Sequence, residues 1–129
     1  MINSEKVKYW IDLSKEDIDV AQVLLDGGKI IYSGFMCHLS VEKALKAKIE
    51  HSGYTPQKIH NLIRIAELGG VLDLMNDEQI MLLKMLNPLQ IEARYPAYKQ
   101  QYGTALSSEQ CAFLITQVKE MIAWIETQL

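Results

Sequence analysis

Two apolar stripes of nearly equal length, separated by a double glycine, leave this chain little choice of fold. Between about Ser4 and Asp26, Val7, Ile11, Ser14, Ile18, Ala21 and Leu25 recur at three- and four-residue steps, the repeat of one face of an α-helix. Trp10 and Leu24 widen the stripe. The pattern predicts a helix of about 22 residues, roughly 33 Å long. Gly27-Gly28 ends it, because glycine accepts the left-handed conformation that helix C-termini often need. A second helical segment of nearly the same length runs from about Ile30 to Ser52, and Gly53 closes it. Two equal helices joined by a short glycine turn are expected to pack antiparallel.

The rest of the chain continues the helical pattern. "YTPQKIHN" is a connector, with Pro56 disfavouring helix at Thr55. A short helix is predicted from His60 to Leu68, stopped by Gly69-Gly70, and a loop leads through Val71 to a cap at Asn76. "DEQIMLLKMLNPLQIEA" is a further helical segment, with acids at its positive end and Pro88 placed to kink or break it. Ser107 and Gln110 form a capping box for the last helix. Its stripe is Cys111, Leu114, Ile115, Val118, Met121, Ile122, Ile125 and Leu129. No segment alternates at period two for long. The expected fold is all-α, a single domain over residues 1–129: an up-and-down four-helix bundle with one additional short helix. "IMLLKMLNPL" is apolar nearly all the way round, with Lys84 its only charge. Such a helix usually buries two faces, the second against a partner subunit or inside the monomer.

Composition narrows the function. Thirteen basic and sixteen acidic side chains give a net charge of −3, which offers no support for broad salt-driven nucleic-acid binding. No apolar run reaches the roughly 18 residues of a spanning helix, and "MINSEKVKYW" lacks the apolar stretch of a signal peptide. A cytoplasmic protein without a membrane role is expected. Cys37 and Cys111 stand far apart in sequence and form no Cys-x-x-Cys pair. Two buried free thiols are expected, with no metal site and no cofactor.

Polar residues on the second helix interrupt its apolar face. Ile31, Phe35, Leu45 and Ile49 define that face. At about 100° per residue, His38 falls near its centre, Glu42 well inside it and Lys46 at its edge. A buried carboxylate needs a partner; Lys46 can serve locally, and Arg94 from a neighbouring helix. A buried network of His38, Glu42 and Arg94 that only fixes bundle register is the plainer reading. His60 and Asn61 open the short helix, either as a cap and turn anchor or as the wall of a site. Arg94, one of two arginines, precedes Tyr95-Pro96, with Tyr98 and Tyr102 close behind. Its planar fork can grip a carboxylate or a phosphate, so it either pairs with Glu42 or joins the tyrosines on a nucleotide or RNA. No Gly-rich phosphate loop after a strand, no His-Glu-x-x-His and no Gly-x-Ser-x-Gly is present.

Taken in order, Trp10 with "DIDVAQVLL", Phe35, "EKALKA" from Glu42 to Ala47, "HNL" from His60 to Leu62 and "ARYP" from Ala93 to Pro96 resemble the HEPN domain family. The resemblance covers the chain from Trp10 to Trp124. It implies a helical bundle like the C-terminal domain of kanamycin nucleotidyltransferase, nucleotide or RNA binding, homodimers, and pairing with a minimal nucleotidyltransferase as toxin and antitoxin. Many members are metal-independent endoribonucleases that use an arginine, four to six residues, then a histidine. Here His38, His51 and His60 all precede Arg64 and Arg94, so the resemblance points to binding rather than cleavage. The alternatives are an endoribonuclease built on Arg94, His60 and a tyrosine, or a non-catalytic interaction module. The matching positions are Glu42, Lys43, Lys46, His60, Asn61, Arg94, Tyr95 and Pro96; with Tyr98, the candidates for ligand contact are Lys43, Lys46, His60, Asn61, Arg94 and Tyr95.

Overall fold

The structure is a computed structural model that describes residues 4–90 and 106–129. Five helices appear among them, and no strand: α1 (Ser4–Asp26), α2 (Ile30–His51), α3 (Leu62–Leu68), α4 (Asp77–Leu86) and α5 (Ser108–Thr127), with a 3₁₀ turn at Leu72–Leu74. The four longer helices form the bundle and α3 is the added short one. The first two helices match the sequence expectation at both ends, to within a residue.

Local chemistry explains the boundaries. Gly28 has φ +77, and around it Lys29 N–H bonds Leu24 O at 2.8 Å while Gly28 N–H bonds Leu25 O at 3.0 Å. That pair of bonds satisfies two of the orphan carbonyls of α1 and turns the chain back. Asn76 with Gln79 and Ser107 with Gln110 form complete capping boxes, each accepting from two orphan donors at a helix start. α4 stops at Leu86, just before Asn87-Pro88, because proline has no N–H for the next turn.

α1 and α2 are antiparallel: Trp10 meets Lys46, Ser14 meets Ser40 and Ala21 meets Ser33. Ser14 Oγ donates to Ser40 O at 2.6 Å and Ser40 Oγ donates to Ser14 O at 2.7 Å. Ser33 Oγ donates to Ala21 O at 2.7 Å. These short side chains let the two backbones approach closely while satisfying every hydroxyl that the contact buries.

α2 is the central helix. It packs on α1, α3, α4 and α5, and its buried residues, from Ser33 to Glu50, fall on most of its circumference. Leu45, Leu62, Ile65, Leu83, Leu86, Leu114 and Ile125 fill the core around it; each such side chain contributes about 1.5–3 kcal/mol. The expectation that "IMLLKMLNPL" supplies a helix buried on two faces is therefore half met. Leu82, Leu83 and Leu86 are buried, but Met81 is 55% and Met85 45% exposed. A helix rich in Ser, Gly and Ala takes the central place because its thin sides admit neighbours all round. Among the described residues, no helix is long and apolar enough to cross a membrane.

Candidate functional site

The polar side chains of α2 are as deeply buried as their place on the apolar face requires. His38, Glu42 and Lys46 are all buried, and they meet a fourth group that arrives from the connector. Lys46 Nζ donates to Glu42 Oε2 at 2.9 Å. His60 Nδ1 lies 3.1 Å from Glu42 Oε1 and 3.3 Å from Oε2. A carboxylate only accepts, so His60 donates from Nδ1, and in its neutral form Nε2 carries the lone pair. His38 Nε2 lies 2.9 Å from the carbonyl of His60; a carbonyl also only accepts, so His38 carries a proton on Nε2. Its Nδ1 is 3.6 Å from Glu42 Oε1, an ion-pair distance when that nitrogen is protonated too. Residue 60 is thus tied to α2 twice, through its ring and through its main chain.

Neighbouring groups hold this arrangement in place. Lys46 Nζ sits 5.9 Å from the centre of the Trp10 ring, within cation–π range. Asn61, rather than His60, caps α3: its Oδ1 accepts from Ile63 N–H at 3.0 Å and Arg64 N–H at 3.3 Å. The helix therefore starts at Leu62 and not at His60 as the pattern predicts, because the Asn61 side chain satisfies the first orphan donors and leaves His60 outside with its ring turned to Glu42. Asn87, at the end of α4, accepts from Leu62 N–H at 2.9 Å and donates from Nδ2 to Asn61 Oδ1 at 3.3 Å. Neither Asn87 nor the Trp10 contact is legible as a site residue in the sequence; the Asn-Pro break is the one signal that position 87 does something special.

Not every candidate joins the cluster. Lys43 turns to α1, where its Nζ lies 2.6 Å from Asp17 Oδ2, at an angle that makes an ion pair without a well-formed hydrogen bond. Arg94, Tyr95 and Tyr98 lie outside the described residues, and with them the expected Glu42–Arg94 pairing. Arg64, the other arginine, is exposed and pairs with Glu67 within α3.

Elsewhere in the core, Cys37 and Cys111 come together across α2 and α5, both buried and both free. Their mutual hydrogen bond and burial hold the Cys37 thiol far above its usual range. Cys111 Sγ is 3.1 Å from Ser33 Oγ, so the pair continues the small polar seam between the helices.

Chemically, the site is one buried carboxylate serving three basic side chains, with a single imidazole at its surface. The His60 side chain is 42% exposed while that of Glu42 is 6% exposed. Such a carboxylate fixes the tautomer and direction of the ring it holds, and leaves basic capacity beyond its own single charge. The molecule is thus an all-α bundle centred on a helix that carries an internal ionic cluster. Residues 7–128 match the HEPN domain, and the chain belongs to that family. Among curated proteins and among solved structures, nothing matches. Family membership supports a nucleotide- or RNA-related role in general.

Proposed function

We propose that this chain is a nucleotide- or RNA-binding HEPN protein that works as a homodimer with a minimal nucleotidyltransferase, in a toxin–antitoxin pair. The observation that carries the binding part is the Glu42 cluster: Lys46, His60 and His38 all face one carboxylate. Lys46 alone offsets the single charge of Glu42, so any positive charge on a histidine is in excess, and the half-exposed His60 ring is where an anionic ligand meets it. Phosphate oxygens accept hydrogen bonds from imidazolium and amide donors alike. Arg94, Tyr95 and Tyr98 are proposed to add a charged fork and stacking surfaces to the same ligand. The partner and the dimer rest on the family.

Titration calorimetry with ATP, other nucleotides and short RNAs tests this reading. Heat and a raised melting temperature are expected for at least one ligand, both lost in His60→Ala. No heat and no shift with any of them, nor with a minimal nucleotidyltransferase where one is encoded beside the gene, rules it out.

One observation favours a second reading. The Glu42–His60 geometry orients an imidazole through its Nδ1 proton, as a general base is oriented in acid–base catalysis. An endoribonuclease would then use His60 for proton transfer and Arg94 for the charge on phosphorus. Cleavage of RNA at the same rate by the parent and by His60→Ala or Arg94→Ala removes it.

A further inference from the structure

A second surface lies where α4 runs beside α5. Met81, Met85 and Phe113 are 55%, 45% and 58% exposed. With Leu82, Asp77 and Glu78 they line a shallow groove of about 400 Å³. A polar hollow that reaches Glu120 shares Glu78, Leu82 and Gln117 with it, so the two are one continuous trough. Glu109 stands one turn before Phe113 on the same helix and Glu120 two turns after it. Lys84, beside Met85, leaves these carboxylates in excess.

We infer that this trough docks a basic amphipathic helix of a protein partner, with apolar side chains at helical spacing on the methionines and Phe113 and lysines or arginines along the acidic rim. Two unbranched methionines give a floor that adapts to different apolar anchors, and laying an apolar helix face in such a groove is a common mode of peptide recognition. The rim decides the occupant. A second copy of the same face would set Asp77, Glu78, Glu109 and Glu120 against their own counterparts, and like charges at an interface oppose association. RNA would meet the same repulsion from its phosphates. A cationic helix meets complementary charge at each edge and apolar contact between.

The probe is a synthetic helical peptide of about 18 residues, leucines on one face and lysines elsewhere, with a control in which glutamate replaces every lysine. Calorimetry on the full chain is expected to show binding of the lysine peptide alone. Phe113→Ala and Met81→Ala each weaken it about tenfold or more, as truncated central anchors do. The double variant Glu78→Lys/Glu120→Lys weakens it similarly and gains affinity for the glutamate peptide. Glu16→Lys/Asp19→Lys, the same charge change on exposed positions of α1, shifts affinity less than twofold. Circular dichroism confirms that each variant is folded. No binding of the lysine peptide, equal binding of both peptides, or an equal loss in the α1 control overturns the inference. So does sedimentation in which Phe113→Ala turns an oligomer into a monomer, which gives the face to a second copy.

Discussion

Asp17 and Glu42 are both buried carboxylates at the heart of this bundle, and they are treated differently. Asp17, on α1, meets Lys43 alone among the described residues, and the lysine's side chain is 23% exposed. Glu42, on α2, meets Lys46, His60 and His38, brought by two separate segments of the chain. The first is a one-to-one pair whose cation keeps access to water, enough to offset the desolvation of one acid. It sits beside the reciprocal Ser14–Ser40 bonds and helps set the register of α1 on α2. The second gathers more basic groups than one acid neutralises, and one of those groups reaches the surface. The difference separates a polar contact that specifies the fold from one arranged to meet something outside it.

Substitutions at the two carboxylates and their partners test that contrast. Glu42→Gln has the largest expected effect: it strands the buried Lys46 and the two histidines and should cost about 3–5 kcal/mol, read from urea unfolding. A loss under 1 kcal/mol would place Glu42 in the same category as Asp17. Asn61→Ala removes the α3 cap together with the Asn87 contact and should cost about 1–2 kcal/mol; nucleotide or RNA affinity should fall with it, since the cap sits beside His60. Asp17→Asn should cost about 1 kcal/mol, because Lys43 turns to water once its partner's charge is gone, and ligand affinity should not move. His60→Gln should leave the melting temperature within a few degrees of the parent while ligand binding is lost. A variant that melts far lower and still binds would make the whole Glu42 cluster structural.

The sequence shows a good deal of this, and its reach follows from what is local. Helix limits follow from periodicity, glycine ends and capping residues, all of which act within a few positions of themselves; α1 and α5 are legible for that reason. Burial of His38, Glu42 and Lys46 follows from their angle on the α2 face. His60 is misjudged as a helical residue because a cap is defined by which side chain reaches the next turn, and "HN" offers two candidates. Asn87, Trp10 and Asp17 enter through tertiary register: which residue of α1 or α4 faces which residue of α2 depends on how far the helices slide, and no single stripe encodes that. The exposure of Met81 and Met85 has the same origin. An apolar segment says only that it avoids water, whereas the small side chains of α2 decide which helix takes the middle of the bundle.

The double attachment of residue 60 carries a consequence for the stretch before it. With its carbonyl moored to His38 and its ring to Glu42, the imidazole does not take its position from the connector that begins after Gly53. That segment, largely exposed from Ser52 to Lys58, tolerates changes of length and composition at little thermodynamic penalty, while the ring it delivers stays at the same berth.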